Sequence, residues 1–468
     1  MKVIPQRVDV SKRMDELREN TKRALMVTSD PKMTLNLIDT IQRLGIGHCF
    51  KEEINNILED LTQVLSDDDL YTVALNFCLR RHNGLDSNPA FFQIFMEQNG
   101  ELKKSSTEDI EGLLSSSGEN VLSHLREITT RHLSSSISQL STKLHKKLPR
   151  HMRMERLEAR GYIEEYGNED DHNPIVLEFA KYKYNKVQST FQMELVEEHL
   201  GLSAKLPFVR DRHIECFLWI VGLLPEPSFS GSRIELAKAI AIMLVIDDIY
   251  DTYGSYDDLV PFTEAIQRWD LNEMEQLPEY MKICFKALYN TNNEICVKVL
   301  SERGLSVQPF LCKTWIEMVK AYMVEVEWVK RGRTLTIKDY IKNGVTTFGT
   351  YMALVHLFFL VSNGLTIENM QHLLDPYPKF FTVAGTILRG TEKRGYVIKH
   401  TFTHEREKHN IGEERNITVT QDVVLFPIIK VAVNMSRASQ VVYKHNDDSY
   451  LLSVEHHVQS LFYKPVDI

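Results

Sequence analysis

The sequence predicts an all-α fold of two helical domains, and three observations carry that expectation. Glycine (21) and proline (15) together supply only 36 of 468 residues, below a usual joint share of about 12%. Period-two alternation, the mark of a half-buried strand, is almost absent. Apolar residues instead recur at three-to-four spacing along much of the chain. Hydrophobic residues at 43% and charged residues at 25% are ordinary for a globular protein and exclude a disordered or collagen-like chain. No internal repeat of fixed period stands out.

The elements follow in order. Asp30-Pro31 starts a helix whose apolar spacing runs to Leu44, where Gly45 and Gly47 stop it. Ile54, Ile57, Leu58, Leu61 and Val64 repeat the pattern. Serine clusters at 115–117 and 134–136 predict short helices over 112–139. A polar turn over 166–174 precedes a long helix from Ile175. The domain boundary is expected near Gly201, giving an N-terminal domain over 1–200 and a C-terminal one over 201–468. After it, Pro225-Glu226-Pro227 reads as a loop, and a helix follows from Phe229. From 231 to 360 the helices are longer and more apolar, which predicts the deeper core there.

Charge and composition exclude several classes of function. A net charge of −9 argues against nucleic acid as a partner, since such binders carry a basic face. The six cysteines form no C-x-x-C pair, so neither a zinc ribbon nor a disulfide framework is expected. The longest apolar stretch, Tyr351 to Val361, is short of the roughly 20 residues a membrane span needs. The N-terminus lacks the apolar core of a signal peptide and the composition of a transit peptide. The expected location is the cytoplasm, or the plastid if a transit peptide precedes this sequence.

The most informative segment runs from Ala241 through six apolar residues into Asp247, Asp248 and Asp251. On a helix Asp247 and Asp251 share a face, where like charges repel. Hard carboxylate oxygens suit Mg²⁺, and a solvated helix end is the plainer alternative. Asp257 and Asp258, in the loop that follows, read as N-capping residues. Arg210 and Arg212 flank one residue ahead of a helix. Guanidinium forks match phosphate oxygens, although R-x-R alone reads by default as a surface salt bridge. A helical hairpin between residues 212 and 247 would bring both features to one mouth. Trp219 on that hairpin is either core filling or an aromatic face for a cation. The polar loop carrying Tyr443, Asp448 and Tyr450 is either a lid or simply solvated.

Together these residues resemble the plant class I terpene synthases, and the similarity covers most of the chain. Val245 to Gly254 looks like the family's aspartate-rich motif, and Leu206 to Arg212 like its R-x-R segment. Leu148-Pro149 and Arg153 to Arg160 look like the end of its N-terminal domain. The resemblance implies two α-helical domains, with the active site in the second, and a monomer. It implies ionisation of a prenyl diphosphate substrate, geranyl or farnesyl diphosphate, with Mg²⁺ or Mn²⁺. By carry-over, Asp247, Asp248 and Asp251 would serve the metal. Arg210, Arg212 and Arg389 would hold the diphosphate. Trp219, Thr346, Thr347, Tyr351, Tyr443, Asp448 and Tyr450 would line or close the pocket. The segment 343–354 and the absence of an N-terminal tandem-arginine motif look most like the branch that makes acyclic alcohols of the linalool and nerolidol type.

The family's second metal motif is disrupted. After Arg389 the chain reads Gly-Thr-Glu-Lys, without the expected Asp pair. Thr391 and Glu392 remain but are adjacent, off the required helical spacing. Local shortening after Ser115 and Asn410 adds to the departure. A catalytically impaired paralogue, or a non-catalytic helical binding protein, is therefore the alternative expectation.

Overall fold

Every regular element among the described residues is helical. The structure is a computed structural model that describes residues 6–27, 30–61, 70–87, 95, 153–197, 200–210, 212–332, 336–392, 419–442 and 449–468. The chain forms two compact units. One comprises Met1–Ser189 with Gln459–Ile468, and the other Thr190–Val458.

The first unit begins with α1 (Gln6–Val27), α2 (Pro31–Arg43), α3 (Lys51–Asp60) and α4 (Leu70–His82). It continues with α5 (Glu155–Tyr166) and most of α6 (Pro174–Glu197). Helix α2 starts as its sequence predicts. The Asp30 carboxylate accepts from the Lys32 N–H at 3.3 Å, and Pro31, whose missing N–H costs nothing there, is the first helical residue. Gly45 takes φ +72° beyond its end. Leu35, Ile38, Ile54, Leu58 and Phe179 meet in the core. Asn173 caps α6, accepting from the backbone of Ile175 and Val176. The last ten residues return to α6: Asn185 exchanges two 2.8 Å hydrogen bonds with the backbone of Val466. The short helices expected over 112–139, and Val64, lie outside the described residues.

The second unit continues with a short turn α7 (Leu202–Lys205), α8 (His213–Leu223), α9 (Ser230–Asp248), α10 (Tyr256–Arg268), α11 (Glu279–Arg303) and α12 (Gln308–Lys330). Then come α13 (Ile337–Thr347), α14 (Thr350–Val361), α15 (Ile367–Leu374), α16 (Lys379–Glu392), α17 (Val419–Val442) and α18 (Ser449–Val458). Helix α14 is its centre. All its residues but Tyr351 are buried, and it packs on α9, α12, α13, α16 and α17. A helix apolar all round needs that environment. Gly349 (φ +72°) makes the break between α13 and α14, and a β-carbon there would lie 2.1 Å from the Met243 sulfur of α9. His356 on α14 is a core residue. Its Nδ1 donates to the Met352 carbonyl at 2.7 Å, and burial pushes its pKa down to about 4. Among the described residues no single helix is long and apolar enough to cross a membrane.

One ion pair fixes the base of α9. Arg233 and Glu194 are both almost fully buried and joined by bonds of 2.7 and 2.6 Å. Arg233 also donates to the carbonyls of Leu224 and Glu226, closing the turn between α8 and α9.

Candidate active site

Helices α8 and α9 pack on each other as a hairpin, so the start of α8 and the end of α9 share one end of the unit. Arg212 precedes α8, and Asp247 and Asp248 close α9. The aspartate segment does not run directly into the loop expected after it, which is confined to Gly254 and Ser255. It continues as a π-helical turn over Ile249–Tyr253. Such a turn adds a residue per hydrogen-bonded ring and often marks functional sites. Asp247 is therefore half-buried, whereas Asp251 lies at the exposed rim. The capping expectation for the next helix also needs correction. Ser255, not Asp257 or Asp258, is the N-cap of α10. It accepts from the Asp258 N–H, and its hydroxyl donates to the Asp258 carboxylate at 2.6 Å.

The carboxylates act on one another. Burial pushes the Asp247 pKa up to about 7, and Asp251, Asp248 and Glu325 push the same way, against a hydrogen bond with Tyr322. Asp251 is raised too, chiefly by desolvation, while Arg389 pulls it down. Glu325 was not foreseen. It stands on α12, far along the chain from the aspartates, and no local motif marks it. Its carboxylate accepts from Asn343 at 3.1 Å and from Thr347 at 3.0 Å. Tyr322, one turn earlier, donates to the Thr347 carbonyl at 2.7 Å and stacks on Tyr250 of the π turn, centroids 5.3 Å apart. Its phenol is held well above its ordinary pKa by burial and by Asp247.

This donor set fits a divalent cation. The hard carboxylate oxygens of Asp248, Asp251 and Glu325 act on Asp247, and Arg389 opposes the repulsion at Asp251. Among the described residues no three His, Cys, Asp or Glu side chains form a ready-made metal cage. Mg²⁺ does not need one, because it retains waters and takes substrate phosphates as ligands.

The three expected arginines sit on two segments of the unit. Arg389, in the last turn of α16, lies with its guanidinium 4.9 Å from the Tyr340 ring centroid and 6.0 Å from that of Phe348. Arg210 and Arg212 are exposed, and neither forms an ion pair among the described residues. Their loop is tied to the aspartate turn by aromatic contact. Phe208 stacks on Tyr253 at 4.0 Å with 10° between the planes, and Tyr280 meets both edge-on, at 5.9 and 4.9 Å.

The other expected residues divide. Thr347 is buried in the Glu325–Tyr322 network. Thr346 lines an open groove with Val324, Trp328, Asp339, Lys342 and Asn343. Trp219 is half-buried on α8. Tyr351 stacks on Tyr377 at 4.6 Å and shares a 2.9 Å hydrogen bond with Thr382; none of these contacts involves the aspartates. Tyr443 and Asp448 lie outside the described residues. Tyr450 falls at the start of α18, and like Thr391 and Glu392 on α16 it is described in its backbone alone.

Comparison with known proteins now has a geometry to meet. Residues 3–155 match the family model described as "Terpene synthase, N-terminal domain", and residues 198–402 match "Terpene synthase family, metal binding domain". A monoterpene synthase of Cananga odorata is 47% identical, aligned over 99% of this chain and 87% of its own length. The geraniol and R-linalool synthases of Ocimum basilicum are 45% and 43% identical, each over 97% of this chain and 87% of their own. All three carry the description "chloroplastic", so the expectation of a cytoplasmic location finds no support among them. Among solved structures, limonene synthase with 2-fluorolinalyl diphosphate superposes with a TM-score of 0.88 at 28% identity, over 98% of this chain and 95% of that one. Grey poplar isoprene synthase, in complex with three Mg²⁺ ions and dimethylallyl-S-thiolodiphosphate, gives 0.82 at 29%, over 98% and 97%. The fold, the divalent-metal domain and near end-to-end similarity agree: the chain belongs to the terpene synthase family and is an enzyme of that class.

Proposed function

We propose that this protein ionises geranyl diphosphate, or its longer homologue farnesyl diphosphate, and releases an acyclic terpene alcohol of the linalool or nerolidol type. The observation that carries this reading is the electrostatic contact of Asp247 with Asp248, Asp251 and Glu325 and of Asp251 with Arg389, with the Arg210–Arg212 loop tied to the aspartate turn through Phe208. In this reading Asp247, Asp248 and Asp251 hold Mg²⁺ or Mn²⁺, with Glu325 as a fourth carboxylate. The bound cation supplies Lewis-acid stabilisation of the leaving diphosphate. Arg210, Arg212 and Arg389 bind the same anion, where fixed positive charge is worth most. The allylic C–O bond breaks with its electron pair going to the diphosphate. Water then adds to the allylic cation, and its proton passes to the released anion. Trp219, Thr346, Thr347, Tyr351, Tyr443, Asp448 and Tyr450 form the wall and lid that shield the cation.

The names of the monoterpene, geraniol and linalool synthases favour the ten-carbon substrate and an acyclic product. Their chloroplastic descriptions favour the plastid as the site of action. The same reading divides the chain at residue 200, leaves catalysis to 201–468 and takes the protein as a monomer. A second reading rests on a specific observation: the Asp pair expected after Arg389 is absent. On it the chain is an impaired paralogue or a non-catalytic binder of prenyl diphosphates.

The test is turnover of geranyl and farnesyl diphosphate by purified protein with Mg²⁺, with Mn²⁺ and with chelator, the volatiles identified by gas chromatography–mass spectrometry. Metal-dependent linalool or nerolidol supports the first reading, and cyclic products overturn its acyclic part. A folded protein that binds diphosphate without turnover supports the second.

A further inference from the structure

Tyr340 and Gly344 of α13 and Phe348, the residue at its C-cap, recur at four-residue spacing. The two rings flank the guanidinium of Arg389. Between them, a β-carbon on Gly344 would lie 2.7 Å from Nε of Arg389, 3.1 Å from its Cγ and 3.2 Å from its Cδ. The first distance is closer than carbon and nitrogen can approach. The arginine stem therefore lies directly on the helix backbone, where any other residue would hold it off.

We propose that Gly344 is a positioning residue: its missing side chain opens a slot at the end of α13, beside Tyr340 and Phe348, that seats Arg389. The inference rests on the reading of Arg389 as a diphosphate ligand. Two features support it. The Tyr340 and Phe348 rings lie 4.9 and 6.0 Å from the guanidinium and so hold it at this seat. Glycine is also a poor choice for a helix interior unless space demands it. The face of a ring attracts a cation and orients it without neutralising it. An added methyl would meet the movable stem of Arg389 and not a rigid wall. The fold accommodates it by displacing the arginine.

The substitution Gly344→Ala separates positioning from structure, because alanine is the better helix former. The full-length chain is titrated with inorganic pyrophosphate in Mg²⁺ by calorimetry, beside thermal unfolding. Gly344→Ala is expected to keep or raise the melting temperature while weakening pyrophosphate about tenfold, the scale of one hydrogen bond to a charged group. In an Arg389→Ala background the same change is expected to do nothing further. Tyr340→Leu, which leaves the glycine intact, is expected to weaken pyrophosphate by a smaller factor. Unchanged affinity in both Gly344→Ala and Tyr340→Leu overturns the slot, and so does a loss that persists undiminished without Arg389. An Arg389→Ala variant that binds pyrophosphate normally sinks the underlying ligand assignment instead.

Discussion

Asp247 concentrates the chemistry of the site in one side chain. Its carboxyl sits among apolar helix residues with Asp251, Asp248 and Glu325 nearby, and its pKa rises to about 7. The folded state thus holds a proton that the unfolded chain, near the ordinary 3.8, has already lost. Stability from this group is greatest at low pH and falls as pH climbs from about 4 to about 7. Metal-free Asp247→Asn should therefore melt higher than the parent at pH 8 and differ little at pH 4.5, a comparison differential scanning calorimetry makes directly. Equal gaps at both pH values would refute the raised pKa. Mg²⁺ requires the ionised form, so its affinity for the parent protein should climb through the same interval, as calorimetric titration would measure.

Among the elements, the π turn and the arginine loop depend on each other. Phe208 lies two residues before Arg210, and Tyr253 two residues after Asp251. Their stack joins the loop that carries the cations to the turn that carries the anions. An aromatic pair of this kind contributes about 0.5–1.5 kcal/mol beyond its buried area. Phe208→Leu should accordingly raise KM for the prenyl diphosphate by about three- to tenfold, with kcat less affected, and Phe208→Tyr should behave like the parent. Steady-state kinetics decide it: a Phe208→Leu enzyme with parental KM removes the stack from the account of the site. Here the sequence was only partly legible. The spacing of Asp247 and Asp251 and the R-x-R pair could be read directly. The π turn could not, because a hydrogen-bond register set by packing against Tyr322 leaves no trace in local spacing. Ser255 in place of Asp257 or Asp258 as the cap of α10 is the same lesson. Ser255, Asp257 and Asp258 can each cap a helix, and the packed helix selects one.

Across the second unit, the buried Arg233–Glu194 pair joins the end of α6 to the base of the α8–α9 hairpin that bears the site. Removing one partner strands the other charge without water, at a cost of about 3–5 kcal/mol. Arg233→Met is expected to lose that much in urea unfolding, and Arg233→Met with Glu194→Gln to recover part of it. A single substitution costing under about 1 kcal/mol would mean that water reaches the pair.

The sequence by itself determined the helical class, the central apolar helix α14, the acidic cluster, the R-x-R pair and the family. Each is written in residues close together, where periodicity and side-chain chemistry act locally. Only the tertiary structure decided that Glu325 acts on Asp247, that Thr347 donates to Glu325 and accepts from Tyr322, and that Arg389 lies against Gly344 near two rings. It also returned the last ten residues to the first unit. These relations join residues far apart in the chain, and they are set by which helix faces pack together. Spacing along a single helix carries no record of its partner.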